Sequence, residues 1–405
     1  MTKILIIGGG TAGITVAAQL IRKLKKVHIE LFEPSKYHYY QPLYTLVGAG
    51  TDKKEKTIKE TSKLIPKGVI WNQQKILGFK PKENIVIGED CKEYVYDYLI
   101  VAPGIQLNWH LVKGLTETMG KNGVCSVYGY QESEETFSSL KAFKGGNALF
   151  TSPNTPVKCG GAPQKIMYLT EAYLRKKGLR NTTNVIFASG GSKLFSVPGY
   201  TEALQKIIDN RKIKTHFSHN LIKVDGQKKE ATFTVKMFEG DQQVGMEEKI
   251  ISFDLLHVAP PQSAPDIITE SELAIQDGKL KGWLNVDHYT LQHNSFPNVF
   301  GLGDVCGLPT GKTGAAIRKQ VPVVVNNVQR LLERKEVNGK FKYNGYSACP
   351  ILTDYKHVLM AEFEYGYKPK SSFFFDTTKP RWSMYLLKHF YLPWYYWNRM
   401  LKGRN

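Results

Sequence analysis

Residues 3–34 read KILIIGGGTAGITVAAQLIRKLKKVHIELFEP. The apolar run before the glycines predicts a β-strand, and the apolar residues between Ile14 and Ile21 have the spacing of one buried helix face. A second apolar strand follows and ends at Glu33. The stretch therefore predicts one βαβ unit with a glycine-rich turn between its first strand and its helix.

The glycines of that turn have the GxGxxG spacing of a dinucleotide site. Gly8 permits the tight turn, Gly10 lets a pyrophosphate approach the backbone, and Gly13 lets the helix pack closely on the strand. The helix N-terminus presents N–H groups to phosphates, and Glu33, about twenty residues after Gly13, is placed to accept hydrogen bonds from ribose hydroxyls. The expected contacts are Gly8, Gly10, Thr11, Ala12, Gly13, Glu33 and Pro34.

Two later stretches are similar to marks of flavoproteins that bind FAD and carry two dinucleotide-type domains. YDYLIVAPG (96–104) predicts a short buried strand that ends in a turn, and NVFGLGD (298–304) predicts another that ends in an aspartate. The resemblance implies that Asp304 contacts the ribityl or pyrophosphate part of FAD. The expected contacts from these stretches are Ala102, Pro103, Gly104, Gly303 and Asp304.

The stretch between these marks predicts a second α/β domain inserted into the first. We expect strands near 147–150 and 184–188 and helices near 164–177 and 201–211. A nicotinamide-binding domain would carry a second glycine fingerprint after the first of those strands. The chain instead reads TSPNTPVKCGGAPQ (151–164), which lacks the third glycine, so an NADH site is not expected.

Composition limits the partners. The 405 residues include 55 Lys and Arg against 36 Asp and Glu, a formal net charge of +19, which favours anionic surfaces. No nucleic-acid module is recognisable, so we expect a membrane or a small anion rather than a nucleic acid. The five widely spaced cysteines match no metal motif, and the strand that begins at Lys3 leaves no room for a leader peptide, which predicts an intracellular protein without a metal site.

Longer stretches identify the chain as similar to the sulfide:quinone oxidoreductase family, in the branch that includes the mitochondrial enzymes, within the flavin disulfide reductase superfamily. The matching stretches are YQPLYTLVGAG (40–50), SPNTPVKCGGAPQKIMYLTEAY (152–173), LLHVAPPQSAPD (255–266), LQHNSFPNVFGLGD (291–304), LPTGKTGAA (308–316) and YSACPILTDY (346–355). The resemblance implies FAD, a redox-active cysteine pair, oxidation of sulfide to a persulfide or polysulfide, and delivery of electrons to membrane quinone.

Carried over to this chain, the resemblance places the cysteine pair at Cys159 and Cys349. It places Gln41 and Ile76 along the FAD, and Lys319 and Gln320 near the flavin. The other cysteines, Cys91, Cys125 and Cys306, are expected to be bystanders.

The local sequence of Cys159 is itself unusual. Lys158 precedes the cysteine, and two glycines and Pro163 follow it, which predicts a thiol just before a helix N-terminus. The helix dipole and the lysine would both favour the thiolate. A buried structural thiol remains the alternative at this point.

The C-terminal stretch from Arg381 is rich in aromatic and basic residues and has no acid. Its spacing predicts two amphipathic helices separated by Pro393, one with Trp382, Tyr385, Leu386 and Phe390 on one face and the other with Trp394, Trp397 and Leu401. Neither is long or apolar enough to span a bilayer, so we expect both to lie in the headgroup region of an anionic membrane. Packing on the protein body is the alternative.

These observations predict an α/β protein with two Rossmann-like domains, the second inserted in the first, and a membrane-binding C-terminal region. The expected FAD domain covers 1–108 and 277–330, the second domain without a nucleotide fingerprint covers 109–276, and the quinone- and membrane-binding region covers 331–405. The expected function is oxidation of sulfide, with transfer of the electrons to membrane quinone and of the sulfur to a sulfane-sulfur acceptor. The expected location is peripheral, on the cytoplasmic face of the cell membrane, with a homo-oligomer as an open possibility. The alternatives are an NADH:quinone oxidoreductase of the same superfamily and a non-enzymatic FAD-binding redox sensor.

Overall fold

The computed structural model describes residues 1–240, 242–337 and 339–404. The strands within these residues are β1 Thr2–Ile7, β2 Val27–Phe32, β3 Tyr37–Tyr39, β4 Ile58–Glu60, β5 Val69–Asn72, β6 Ile76–Lys80, β7 Ile85–Gly88, β8 Glu93–Val95, β9 Tyr98–Val101, β10 Gln106–Leu107, β11 Val124–Cys125, β12 Gly146–Ser152, β13 Thr183–Ser189, β14 Lys214–His216, β15 His219–Asp225, β16 Glu230–Glu239, β17 Gln242–Ser252, β18 Leu255–His257, β19 Gln262–Ser263, β20 Val299–Gly301, β21 Ser347–Asp354, β22 His357–Glu364 and β23 Lys368–Pro369.

The α-helices are α1 Thr11–Lys23, α2 Tyr44–Gly48, α3 Leu115–Thr118, α4 Tyr130–Ala142, α5 Ala162–Lys176, α6 Tyr200–Asn210, α7 Asp266–Thr269, α8 Gly314–Leu332, α9 Trp382–Leu386 and α10 Leu392–Asn398. A π-helical turn, Leu387–Tyr391, joins the last two helices, and a 3₁₀ turn, Met400–Lys402, follows them.

The first sheet has five parallel strands in the order β20-β9-β1-β2-β5. Its central strands are buried, as expected where helices cover both faces of a parallel sheet. Strand β1, helix α1 and strand β2 are the βαβ unit predicted from residues 3–34, and the two short strands that end before Ala102 and before Leu302 lie next to it. The carboxyl ends of β1, β9 and β20 therefore meet at one edge of the sheet.

The second sheet has five parallel strands in the order β11-β18-β12-β13-β14. All five lie in the chain between β9 and β20 of the first sheet, so the second layer is an insertion into the first. Strands β12 and β13 and helices α5 and α6 occupy the positions that the sequence predicted. The prediction of two Rossmann-like α/β units is confirmed.

Strands β21, β22 and β23 form an antiparallel sheet that neither Rossmann unit contains. Strand β21 packs against helix α5, and helix α9 packs against strand β22. This third sheet brings the chain from Ser347 onward onto the edge where the first sheet's carboxyl ends meet.

The C-terminal segment differs from the predicted pair of separate helices. Residues 382–398 form one continuous helical segment, because the π turn just before Pro393 changes the backbone hydrogen bonding where the proline lacks an N–H. The extra residue of a π turn also rotates the second half relative to the first. As a result Trp397 and Leu401 are buried against the protein body, whereas Phe390, Tyr391 and Trp394 are exposed.

In the described part of the chain, no helix has both the length and the apolar character needed to cross a membrane. The C-terminal segment is amphipathic, with a buried face and an exposed face. One face packs on the protein and the other presents aromatic side chains outward.

Candidate active site

A cavity of about 580 Å³ opens at the carboxyl edge of the first sheet. Such an edge is where open α/β sheets bind ligands. The turns after β1, β9 and β20 line one side, and their lining residues are Gly9, Gly10, Thr11, Ala12, Ala102, Pro103, Gly104 and Asp304. Residues of helix α5, of the third sheet and of the C-terminal segment line the rest.

The glycines of the first turn are required by close approach of other backbone. A Cβ on Gly13 would lie 1.7 Å from the carbonyl oxygen of Gly8, and one on Gly8 would lie 2.4 Å from that of Ala102. Gly8 also has a φ of 99°, which favours glycine. Around Gly10, by contrast, a Cβ would meet nothing within 4 Å, because this residue faces the cavity.

Glu33 closes the far end of the turn. One of its carboxylate oxygens accepts from the N–H of Gly9 at 2.7 Å, and the other accepts from the N–H of Ser35 at 2.8 Å. Burial raises the pKa of Glu33, and these two hydrogen bonds oppose that shift. Each oxygen keeps a lone pair for a further donor, so the carboxylate fits a ribose diol.

Asp304 follows β20, and a Cβ on Gly303 just before it would lie 3.2 Å from Cβ of Ala12 in helix α1. The N–H of Gly303 donates to Gln320 Oε1 at 2.8 Å, which fixes this turn to helix α8. Lys312 Nζ donates to the backbone oxygens of Asp304 and Cys306 at 2.7 and 2.9 Å. Burial raises the pKa of Asp304 and lowers that of Lys312 to about 8, so a charge on either group is costly here without a ligand.

Cys159 and Cys349 meet at the cavity although 190 residues separate them, with 4.0 Å between the two Sγ atoms. Cys159 comes from the loop before helix α5 and borders the cavity, and Cys349 lies behind it on strand β21. Cys159 has a φ of 51°, a left-handed conformation that is strained for a residue with a side chain.

Lys165, in the first turns of helix α5, donates from Nζ to Cys159 Sγ at 3.0 Å. The hydrogen bond from Cys349 and the charge of Lys165 hold the pKa of Cys159 well below its usual range, in spite of burial. The same hydrogen bond, together with burial, raises the pKa of Cys349 well above its usual range. The opposite directions of the two pKa shifts favour a Cys159 thiolate that accepts a hydrogen bond from a Cys349 thiol.

The sequence assigned the thiolate-stabilising role to Lys158, and the hydrogen-bonded lysine is Lys165 instead. Lys158 is half-buried near Asp304, and desolvation lowers its pKa to about 8. The helical turn is the reason, because residues 162–165 curl back over the preceding loop and carry the Lys165 side chain to the thiols. The expected position of Cys159 just before a helix N-terminus is observed.

An ion cluster centred on the buried Glu171 holds helix α5 against strand β21. Glu171 accepts from Arg175 Nε at 2.9 and 3.0 Å and from Arg211 at 3.3 Å. Arg175 also bonds Asp354 at 2.9 Å, and Arg211 donates to the carbonyl of Thr353 at 2.6 Å. Since Asp354 ends the strand that carries Cys349, the cluster fixes the two cysteine-bearing elements to each other.

Comparison with known proteins agrees with this architecture. The sequence profile described as pyridine nucleotide-disulphide oxidoreductase matches residues 2–141. The mitochondrial sulfide:quinone oxidoreductase of Dictyostelium discoideum is 44% identical over 406 residues, which cover 100% of this chain and 87% of the relative. That of Mus musculus is 43% identical over 401 residues, which cover 99% and 86%.

The chain belongs to the sulfide:quinone oxidoreductase family. The resemblance inferred from the motifs is thus confirmed. The crystal structure of the sulfide:quinone oxidoreductase from Aquifex aeolicus has a TM-score of 0.80 at 17% identity, covering 100% of this chain and 92% of that one, which shows the same fold.

Within this member of the sulfide:quinone oxidoreductase family, the predicted site residues fall into two groups. Those that line the cavity are Gly10, Thr11, Ala12, Glu33, Gln41, Ala102, Pro103, Gly104, Cys159 and Asp304. Those that do not line it are Gly8, Gly13, Pro34, Ile76, Gly303, Lys319, Gln320 and Cys349. In the second group Gly8, Gly13, Gly303 and Gln320 shape the turns from behind, Ile76 is buried in the core, and Lys319 lies over the ring of Tyr346 at 5.6 Å.

The three other cysteines lie in different surroundings. Cys125 on strand β11 and Cys306 after the Asp304 turn are both buried, and burial raises the pKa of each to about 12. Cys91 is exposed in a loop. Buried thiols with raised pKa values are poor nucleophiles, which fits the bystander role that the sequence assigned to Cys125 and Cys306.

Sequence reasoning missed two buried lysines at the site of this sulfide:quinone oxidoreductase homologue. Lys165 lies among the buried residues of helix α5, and Lys388 lies in the π turn, where Nζ donates to the carbonyl of Pro42 at 3.0 Å. Burial, with the charge of Lys165, lowers the pKa of Lys388 to about 7. The available signal was a single lysine inside an otherwise apolar run, as in QKIM and LLKHF.

Proposed function

We propose that this protein oxidises sulfide to sulfane sulfur through Cys159 and Cys349 and passes the two electrons to a quinone. The observation that carries the proposal is the thiolate–thiol pair with its lysine, placed on a cavity built for a dinucleotide. A pair brought together from positions 190 residues apart, with opposite pKa shifts, is suited to thiol–disulfide exchange.

The cofactor we propose is FAD. The open start of helix α1 suits a pyrophosphate, Glu33 suits an adenosine ribose, and Asp304 suits the ribityl chain. Bound FAD would supply a two-electron acceptor beside the cysteine pair. The residues proposed to contact it are the predicted ones that line the cavity, and Gly8, Gly13, Gly303 and Gln320 shape the turns behind them. The proposed domain limits stay as predicted from the sequence.

The cysteine pair cycles between a bridged and a reduced form, with either a direct bridge or one that contains an additional sulfur. Hydrosulfide attacks the bridge at Cys349, so that a new S–S bond leaves a persulfide there and the broken bond leaves a thiolate on Cys159. Transfer of the sulfane sulfur to an acceptor restores the Cys349 thiol. The dithiol then loses two electrons and two protons as the bridge re-forms. The quinone accepts the two electrons and the two protons and becomes a quinol.

Lys165 stabilises the thiolate that leaves when the bridge opens. A thiolate paired with an ammonium group is the better leaving group, because its conjugate thiol has the lower pKa. The strained backbone at Cys159 holds its Sγ at the cavity, whereas Cys349 carries the persulfide from its position in the strand. This division of roles is the one that the helix-terminus setting of Cys159 favoured.

The quinone would enter between the third sheet and the C-terminal segment. Apolar and aromatic side chains line that part of the cavity, namely Ala348, Pro350, Met360, Phe373, Leu387, Tyr391 and Leu392. The exposed aromatic face of the same segment suits the interface of a quinone-containing membrane. We propose peripheral attachment there, to an anionic lipid surface. The names of the curated relatives assign those proteins to mitochondria. The cytoplasmic face of the cell membrane stays a prediction from the sequence of this chain.

The start of helix α5 argues against the alternative function of an NADH:quinone oxidoreductase. This helix occupies the position where a second fingerprint would bind NADH, and there a Cβ on Gly161 would lie 2.6 Å from Cys349 Sγ. The start of this helix therefore carries the thiols in place of a glycine fingerprint. A non-enzymatic redox sensor would not need the thiolate pair or the apolar entrance.

Anaerobic mixing of the FAD-loaded protein with either sulfide or NADH tests the proposal. We expect sulfide to bleach the flavin absorbance and NADH to leave it unchanged, and added quinone to restore it. Bleaching by NADH alone would contradict the proposal, and bleaching by neither reagent would favour the sensor.

Serine substitutions test the cysteine assignment. Cys159→Ser and Cys349→Ser should each lower sulfide-dependent quinone reduction by several orders of magnitude while FAD stays bound, because a hydroxyl can neither form the thiolate nor hold sulfane sulfur. Cys91→Ser is the matched control and should remain near the wild-type rate. Near-wild-type turnover in either active-site variant would refute the assignment.

A further inference from the structure

The C-terminal segment contacts the phosphate-binding end of helix α1 through one side chain. The hydroxyl of Tyr396 lies 2.7 Å from Thr11 Oγ1 and 2.5 Å from His38 Nε2, and His38 Nδ1 lies 3.1 Å from the carbonyl oxygen of Gly9. Thr11 is the first residue of helix α1, and Gly9 belongs to the turn before it. A residue almost at the chain terminus is thus hydrogen-bonded to the first fingerprint.

The donor and acceptor in each of these hydrogen bonds follow from the carbonyl oxygen of Gly9, at one end of the chain of bonds. The carbonyl of Gly9 can only accept, so His38 Nδ1 carries the hydrogen. Burial lowers the pKa of His38 to about 4, so the ring is neutral at pH 7 and Nε2 can only accept. Tyr396 therefore donates to His38, and its oxygen accepts from Thr11 Oγ1. One orientation satisfies every member of the chain Thr11–Tyr396–His38–Gly9.

The rest of the segment is packed so that this contact is held in place. The ring of Tyr396 lies 4.4 Å from that of Tyr40, centroid to centroid, and Lys59 Nζ lies 4.6 Å from the ring centroid of Trp397. A Cβ on Gly403 would lie 2.9 Å from the backbone of Ala18, so the chain end lies directly on helix α1.

The segment also shares the cavity with the fingerprint. The side chains of Tyr395, Tyr396 and Met400 line the same cavity as Gly10 and Ala12. A dinucleotide in this cavity would contact both walls, so it would bind more tightly when the segment is docked.

We propose that the C-terminal segment, residues 382–402, is a wall of the dinucleotide site, and that its docking and dinucleotide binding are coupled through the Tyr396 hydroxyl. The proposal rests on the dinucleotide site proposed above, but not on sulfide or quinone. The hydroxyl of Tyr396 fixes the Thr11 side chain and with it the first amide groups of helix α1. Because coupling of two equilibria is reciprocal, the ligand strengthens segment docking by the same factor by which docking strengthens ligand binding.

Titration of the deflavinated protein with FAD, followed by quenching of flavin fluorescence, measures one side of the coupling. Tyr396→Phe keeps the ring but leaves His38 and Thr11 without partners, so FAD affinity should fall roughly fivefold or more. Tyr385→Phe is the matched control, since Tyr385 also hydrogen-bonds a histidine of the segment, His389 at 2.7 Å, and does not line the cavity. It should stay within about twofold of wild type. An affinity of Tyr396→Phe within twofold of wild type would overturn the proposal.

Limited trypsin cleavage after Arg399 measures the other side. FAD should slow this cleavage in the wild-type protein, and the protection should be reduced in Tyr396→Phe by the same factor as the loss in affinity. Equal protection in both proteins would overturn the coupling. Neither readout uses sulfide or quinone, so either can fail while the proposed reaction stands.

A second pair of variants keeps the test decisive if Tyr396→Phe folds poorly. Thr11→Ser retains a hydroxyl that can bond Tyr396 and should lose less FAD affinity than Thr11→Val, which has none. The double variant Thr11→Val, Tyr396→Phe should lose no more affinity than the more severe single variant. Fully additive losses would mean that the two hydroxyls act separately, contrary to the proposal.

Discussion

Lys165 Nζ lies 3.0 Å from Cys159 Sγ at the start of helix α5, where Lys165 is buried and Cys159 is half-buried. Burial alone would lower the pKa of the lysine, but the thiolate charge outweighs burial and raises it. The lowered pKa of Cys159 and the raised pKa of Lys165 describe one ion pair. The pair favours the charged, nucleophilic form of Cys159 at the cavity wall.

Removing the lysine should raise the pKa of Cys159. In Lys165→Met the thiolate loses its counter-charge within hydrogen-bonding distance, so the pH at which iodoacetamide reacts at half its maximal rate should rise by roughly one unit or more. Alkylation of the reduced protein at graded pH measures this shift. Lys176→Met, an exposed lysine on the same helix, is the control and should leave the profile unchanged.

The same ion pair gives stability a pH dependence. Folding lowers the pKa of Cys159, so its stabilising contribution is complete above the pKa of an ordinary thiol and is lost as the pH falls through the folded value. In the reduced protein, the stability difference between wild type and Cys159→Ser should therefore shrink as the pH is lowered. Urea unfolding at a series of pH values would show it, and a difference that is constant with pH would contradict the thiolate assignment.

Gly161 and Gly160 offer adjacent positions with opposite expectations. A Cβ on Gly161 would lie 2.6 Å from Cys349 Sγ, whereas the nearest atom to one on Gly160 is 3.9 Å away. Gly161→Ala should therefore push the thiols apart and cost about 1–3 kcal/mol of unfolding free energy, with a large loss of sulfide-dependent activity. Gly160→Ala should retain the wild-type unfolding free energy and the wild-type sulfide-dependent activity. Equal behaviour of the two variants would show that close packing at Cys349 is unimportant.

The ion cluster around Glu171 should contribute more than a surface pair. Its carboxylate is buried and bonded to Arg175 and Arg211, which are partly exposed and keep other partners, so Glu171→Gln should cost about 1–3 kcal/mol. Glu134→Gln, which removes the exposed partner of Lys54, should cost about 0–1 kcal/mol. Denaturant unfolding measures both. Similar values would mean that the cluster does not hold helix α5 to strand β21.

The outward face of the C-terminal segment should govern membrane binding. Phe390 and Trp394 are 61% and 53% exposed, and replacing either with Ser should weaken binding to anionic vesicles by roughly tenfold, because apolar area no longer enters the interface. Ile250→Ser, at a side chain 62% exposed on strand β17, is the control. Point variants are preferable to removal of the whole segment, which would also remove Lys388 and Tyr396 from the site.

The sequence alone determined the elements whose signals are local. The GxGxxG turn, the strand before it and Glu33 after it lie within about thirty residues, so the periodicity and spacing of residues 3–34 were enough to predict the βαβ unit. The helix after Cys159 was predictable for the same reason. The motifs that match the family were also read directly from the chain, and they indicated the pairing of Cys159 with Cys349 only through that resemblance.

The tertiary structure decided what depends on contacts between distant parts of the chain. No local pattern relates Cys349 to Cys159, or Tyr396 to Thr11, since the third sheet and the π turn bring these pairs together. The sequence analysis chose Lys158 because it is next to Cys159 in the chain. Where a helix begins, the backbone turns back on itself, and the more distant Lys165 is the lysine that reaches the thiol. The prediction that Trp397 and Leu401 face lipid was wrong, since both are buried. The π turn sets the rotation of the residues that follow it, and packing on helix α1 decides which of their side chains are buried.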